Sequence, residues 1–135
     1  MLMVADFRFH FASARLTIVV IWNRRGRVRL VIVESPYSGD VERNEEYARE
    51  CVRDSLSRGE SPFASHLLYT QRGILDDSKP EERSKGIWCG FEWLAKADAS
   101  VVYIDLGISR GMAEGICMAA QLGKPIEFRM IRGNH

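Results

Sequence analysis

The chain has little excess charge of either sign. Its 19 lysines and arginines balance 18 aspartates and glutamates, for a formal net charge of +1. Composition therefore gives no reason to expect a nucleic-acid partner or a membrane surface. A paired cysteine framework is missing as well. Cys51, Cys89 and Cys117 lie far apart, share no metal-ligand spacing and leave an odd count. Reduced thiols in the cytoplasm are expected, each filling a small core position in a helical pattern. Neither a metal site nor a cofactor is expected. Long apolar runs are also missing. Leu16 to Trp22, the longest near the start, is too short to cross a bilayer. No small-residue cleavage site follows it, so a signal peptide is not expected. There is no repeat period and no low-complexity tract.

What is present suits one globular domain. A chain of 135 residues buries roughly two-thirds of its unfolded surface, enough for an ordinary core. We expect residues 16–135 to form that domain and residues 1–15 to be an extension, either an added strand or a leader. Phe7, Phe9 and Phe11 alternate with Arg8 and His10, which is a strand period. The β-branched runs Leu16–Trp22 and Arg27–Glu34 flank Asn23-Arg24-Arg25-Gly26, a hairpin signal. Arg24, Arg25, Arg27 and Arg29 alternate there with Val28 and Leu30. They read as a solvated turn entering a strand, with a phosphate-binding patch as the alternative.

Beyond Glu34 the pattern alternates between strand and helix. Asp40 caps a helix carrying Val41, Ala48, Cys51, Val52 and Leu56 at helical spacing, which ends at Gly59. Ser61–Thr70 reads as a short strand followed by a loop. Ser78 and Glu81 form a capping box around Pro80. The helix that follows carries Ile87, Trp88, Phe91, Leu94 and Ala95. Trp88, Phe91 and Trp93 read as core or subunit interface rather than a stacking platform. Ser100–Asp105 is a buried strand, Gly107–Gly111 a glycine-rich turn, Met112–Leu122 a helix and Ile126–Ile131 the last strand. The order predicts an α/β domain, a Rossmann-like or flavodoxin-like three-layer sandwich. Its sheet is mostly parallel, with an additional N-terminal hairpin strand.

In such sheets ligands bind beyond the carboxyl ends of the strands. Two junctions there draw attention: Glu34-Ser35-Pro36-Tyr37-Ser38-Gly39-Asp40, and Asp105 through Glu114. Each places hydroxyls and glycines at a helix N-terminus, where free N–H groups and the helix dipole favour an anion. Ser38 and Ser109 can add hydroxyl donors, and Arg110 a charge-assisted contact. Plain turn chemistry explains the same residues equally well, and neither junction matches the dinucleotide or P-loop fingerprint. Asp105 is either a helix-adjacent cap or a ligand group. Glu114 reads as a routine first-turn acid. His66 is either a satisfied loop histidine or a site residue, and Tyr37 can stack on a base or sugar. The two loops are expected to open onto one shared crevice.

From Val28 to Ile131 the chain resembles the nucleoside 2-deoxyribosyltransferase-like superfamily, which includes nucleotide N-glycoside hydrolases. Three pieces carry the resemblance. Val31–Gly39, ending Ser-Pro-Tyr-Ser-Gly, looks like the first strand and substrate loop. Ala97–Val102 looks like the entry to the central strand. Ser109-Arg110-Gly111 with Glu114, followed by Leu122-Gly123-Lys124-Pro125-Ile126, looks like the catalytic helix and its closing strand. The resemblance implies cleavage or transfer at the N-glycosidic bond of a (deoxy)nucleoside or its 5′-monophosphate, through a glutamate that attacks the anomeric carbon. It makes Glu114 that nucleophile and Asp105 a sugar ligand or assistant. Ser35, Tyr37, Ser38, Gly39, His66, Ser109, Arg110 and Gly111 become substrate contacts, with Ser38 and Ser109 holding a phosphate. Counted back from Gly123-Lys124, the family's glutamate falls at Gly115. One residue turns a helical side chain by about 100°, an offset that a shorter preceding turn would absorb. The resemblance further implies a homo-oligomer. A non-catalytic nucleotide-binding or nucleotide-sequestering protein is the alternative.

Overall fold

The computed structural model describes residues 2–11, 14–23 and 27–133, with side chains described for 27–133. Two long strands come first, β1 (Leu2–Phe11) and β2 (Ala14–Asn23). They pair antiparallel from Leu2↔Asn23 to Phe11↔Ala14, as a two-stranded sheet of their own. The expected hairpin partner is therefore corrected. Leu16–Trp22 pairs with Met3–Phe9, which includes part of the alternating phenylalanine stretch, and not with Arg27–Glu34. The second run has no free edge to offer. As strand β3 (Leu30–Glu34) it is flanked on both sides by parallel neighbours. Arg24 and Arg25 lie outside the described residues. Arg27 and Arg29 are engaged in ion pairs with Asp98 and Glu127.

The main domain continues with α1 (Val41–Ser57), β4 (Ser61–Phe63), α2 (Ser65–Leu68), α3 (Pro80–Lys96), β5 (Ala99–Tyr103), α4 (Arg110–Gln121) and β6 (Ile126–Arg129). The four strands β3 to β6 form one sheet, all parallel, in the order β4-β3-β5-β6. The chain thus leaves β3 toward one edge and returns to its other side. This reversal of strand order is the topological switch point of a doubly wound sheet.

Strand parity builds the layers. Val31 and Val33 of β3, with Ala99, Val101 and Tyr103 of β5, pack against Tyr47 and Cys51 of α1. Ile32, pointing the other way, packs with Leu94 of α3 and Ala119 of α4. Side chains of a strand alternate between faces, so one apolar run serves two layers of helices. Each fully buried aliphatic or aromatic side chain contributes roughly 1.5–3 kcal/mol.

Local signals explain most helix ends. The Asp40 carboxylate accepts the Arg43 N–H at the start of α1. Pro80 opens α3 at its first position. The Ser109 hydroxyl accepts the Met112 N–H at the start of α4.

Four expectations are corrected. Ser61–Thr70 is strand only to Phe63 and then turns into α2. The Ser78–Glu81 capping box does not form. Lys79 is the cap residue, and Ser78 bonds instead to the Asp76 carboxylate. The buried stripe of α1 runs through Asn44, Tyr47, Ala48, Cys51 and Ser55, which leaves Leu56 57% exposed. Of the cysteines only Cys51 is buried; Cys89 is intermediate and Cys117 exposed. On α3, Leu94 and Gly90 face the core, while Trp88 and Trp93 remain 63% and 51% exposed.

Candidate functional site

A cavity of about 360 Å³ opens at the switch point, on the α3/α4 face of the sheet. That volume is in the range of small-molecule pockets. Both loops expected to share a crevice reach it: Ser35, Tyr37 and Ser38 after β3, and Ser109, Arg110 and Gly111 before and at the start of α4. The apolar wall comes from Ile32, Ile87, Phe91, Leu94 and Met112, and His66 and Tyr69 close it from α2.

Glu34 is the acid inside it. As the last residue of β3 it has the parity of Ile32, so its carboxylate projects to the α3/α4 face. The facing residue is Gly115 of α4. A Cβ at that position would lie 2.8 Å from the Glu34 carboxyl carbon, so glycine leaves room for the carboxyl group as it stands. Among the described residues no donor reaches the Glu34 carboxylate, and desolvation alone pushes its pKa up to about 8. At neutral pH the group is mainly a protonated acid, able to donate as well as accept.

Beside it the Ser35 hydroxyl and His66 Nε2 share a hydrogen bond of 2.7 Å. Ser35 is buried, and desolvation pulls the His66 pKa down to about 4, so the imidazole is neutral at physiological pH. Arg83 of α3 donates to the Ser38 hydroxyl at 3.0 Å and to Asp77 at 2.9 Å, joining the substrate loop to the loop before α3. Asn44 fixes the same loop from α1 by donating to the carbonyls of Tyr37 and Ser38. Gly39, with φ +102°, supplies the left-handed turn that lets the loop enter α1. It lines a shallower depression adjoining the cavity.

Neither member of the expected acidic pair lines the cavity. Asp105 follows β5 with the parity of Tyr103 and turns to the α1 face. There its carboxylate accepts from the Tyr47 hydroxyl and from the N–H groups of Ile131 and Arg132. These donors hold its pKa below the usual carboxylate value against the opposing effect of burial. Glu114 lies on the outer side of α4. It is 48% exposed and paired with Arg110 at 3.4 Å. The Arg110 side chain is 94% exposed, so its guanidinium faces solvent although the residue borders the cavity.

Glu34 and Gly115 carried weak signals in the sequence, and nothing in it marked Arg83. A carboxylate ending an otherwise apolar strand is one. A glycine inside a helix, costing about 1 kcal/mol relative to alanine, is another. Neither says which face the cavity occupies. Among the described residues no cluster of His, Cys, Asp or Glu could hold a metal, and no helix is long and apolar enough to cross a membrane.

A family described as a Domain of unknown function (DUF7768) matches residues 29–129. No curated protein matches the chain. Among solved structures it is similar to a 2-deoxyribosyltransferase from the psychrotolerant bacterium Bacillus psychrosaccharolyticus. That likeness has a TM-score of 0.55 at 20% identity over 78% of this chain and 75% of that one. A CMP N-glycosidase of Clostridium botulinum, BcmB, aligns with a TM-score of 0.46 at 13% identity over 76% and 69%. The fold is that of the nucleoside 2-deoxyribosyltransferases, a Rossmann-like α/β sandwich.

Proposed function

The chain belongs to the DUF7768 domain family, and we propose that it cleaves or transfers the N-glycosidic bond of a nucleoside or nucleoside 5′-monophosphate in the cavity at the β3–β5 crevice. One observation carries this reading: an acid without a partner among the described residues, Glu34, inside a cavity of small-molecule size at the switch point. Loss of a nucleobase passes through an oxocarbenium-like state, and a carboxyl group beside the sugar is what that chemistry requires. The activity named for the Bacillus psychrosaccharolyticus structure is of this class.

In this reading Tyr37 meets the base or sugar. Ser38, with Arg83 behind it, and Ser109, with the first N–H groups of α4, receive a phosphate where one is present. His66 orients Ser35. Incubating the protein with a panel of nucleosides and 5′-monophosphates, and separating the products by chromatography, tests it. Free base is the expected product; no base from any member ends the reading.

A second reading, a nucleotide-binding protein without turnover, is favoured by one observation. The carboxylate that resemblance made the nucleophile, Glu114, is outside the cavity. Thermal stabilisation by a member of the panel, without base release, is its signature. Assembly into a homo-oligomer in the cytoplasm belongs to both readings. The exposed Trp88 and Trp93 supply an apolar face on α3, and light scattering measures the assembly.

A further inference from the structure

Within the cavity, the charged side chains and the imidazole are already committed, with one exception. The ionisable side chains of its wall are His66 from α2, Asp77 from the loop before α3, Glu82 and Arg83 from α3, Arg110 from α4, and the phenols of Tyr37 and Tyr69. Arg83 is paired with Asp77, and Arg110 with Glu114. Glu82 accepts the Asp76 N–H, and His66 is held by Ser35. Glu34 alone has neither a cation nor a donor among the described residues, and α4 carries a glycine where any side chain would strike it. A carboxyl group held this way loses its proton only at a pH near 8.

We propose that Glu34 is the carboxyl group that works on the glycosidic bond, giving its proton to the departing base and then taking one from the attacking water. This inference rests on the N-glycosidic reading above. In the first step the bond from the anomeric carbon to the base nitrogen breaks. Its electron pair leaves with the base, and the Glu34 proton moves to the base. In the second, a water oxygen forms the new bond to the anomeric carbon and its proton returns to Glu34. One water is consumed, one free base and one free sugar appear, and the acid is regenerated. Gly115 is the matching residue on α4. A side chain there would meet the carboxyl end of Glu34 and push it aside, so glycine at 115 leaves the Glu34 carboxyl group where it stands in the cavity.

The test compares wild type, Glu34→Gln, Glu34→Ala, the double variant Glu34→Ala/Gly115→Glu and Glu114→Gln. Each is assayed for base release from 2′-deoxynucleosides and their 5′-monophosphates, with unfolding curves to confirm the fold. Glu34→Gln is expected to lose at least ~100-fold in kcat, as loss of a positioned proton donor does. The double variant is expected to recover about tenfold over Glu34→Ala. The wild-type rate is expected to fall as pH rises past about 8, the reverse of what a group acting as an ionised nucleophile would give. His66, neutral well below that range, does not confuse the profile. Base release that persists in Glu34→Gln, or that rises through pH 8, overturns this inference and leaves the N-glycosidic reading standing. Loss in Glu114→Gln alone moves the role to Glu114. No release by wild type removes the reading, and this inference with it.

Discussion

The Tyr47 hydroxyl donates a 2.5 Å hydrogen bond to the Asp105 carboxylate, tying the middle of α1 to the end of β5. The same carboxylate receives the N–H groups of Ile131 and Arg132, so it also anchors the chain leaving β6. Asp105 is thus a three-way staple on the face of the sheet opposite the cavity. Asp105→Ala strips three donors of their acceptor and is expected to cost about 2–3 kcal/mol, at the upper end for unsatisfied polar groups. Urea unfolding measures the loss. If the cavity takes a nucleotide as proposed, its affinity should change little; a collapse of binding with stability intact would show that Asp105 faces the ligand in solution.

Gly115→Ala places a methyl group against the Glu34 carboxyl group, the far end of a flexible side chain that must move aside. That displacement costs about 1 kcal/mol, the low end for overpacking, against a gain of about 1 kcal/mol in helix propensity. In a double-mutant cycle, Glu34→Ala should remove the displacement cost and leave the propensity gain, so the two sites are expected to couple by at least ~0.5 kcal/mol. Additive effects would separate the residues.

Two raised or lowered pKa values shape stability against pH with opposite signs. Glu34 holds its proton up to about pH 8 when folded and loses it near 4.5 when unfolded, so the folded state binds more protons between these values and stability falls as pH rises. His66 titrates near 4 folded and 6.5 unfolded, so stability falls as pH drops through that window. From about pH 4.5 to 6.5 the slopes oppose each other. From 6.5 to 8 only Glu34 acts, and wild type is expected to lose up to ~2 kcal/mol at the limiting slope for one proton. Denaturant midpoints across this range should be level in Glu34→Gln. Glu34 also acts alone in His66→Gln between about pH 5.5 and 6.5, above the range of the carboxylates whose pKa is lowered, and there the midpoint should decline as pH rises. A level wild-type curve above pH 6.5 contradicts the assignment.

Arg129, buried on β6, donates to Glu60 at 2.7 and 3.0 Å and to Glu127 at 2.7 Å. Its two partners hold the guanidinium charged, and Glu127 is pulled down to about 2 by Arg29 and then by Arg129. Removing the cation leaves the Glu60 carboxylate enclosed and without its strongest partner. Arg129→Ala is expected to destabilise by about 3–5 kcal/mol, the cost of breaking a buried pair from one side. Chemical denaturation measures this, and a loss below 1 kcal/mol would show that the network is solvated.

Much of the architecture was legible residue by residue. Asp40, Pro80 and Ser109 start their helices where local chemistry says they should. The apolar runs around Val31 and Val101 read as strands buried on both faces, and their alternation with helices gave a parallel sheet. The two polar loops that reach the cavity were also marked in the sequence. What misled was pairing and facing. Leu16–Trp22 looked like a partner for the next run because they are neighbours in the chain, yet both edges of β3 are taken by distant segments.

Sequence by itself determined that Glu34 and Asp105 each end an apolar strand, but not that they face opposite ways, which the β3–β5 register sets by pairing Glu34 with Val102. Only the tertiary structure decided which of the two faces the cavity. Packing α1 on one face of the sheet filled that side with Tyr47, which captured Asp105. On the other face α3 and α4 left a cavity, and Gly115 made room there for Glu34. The strand fixes a side chain's direction to one of two opposite faces, but whether that face holds a helix side chain or open space depends on elements 80 residues away in the chain.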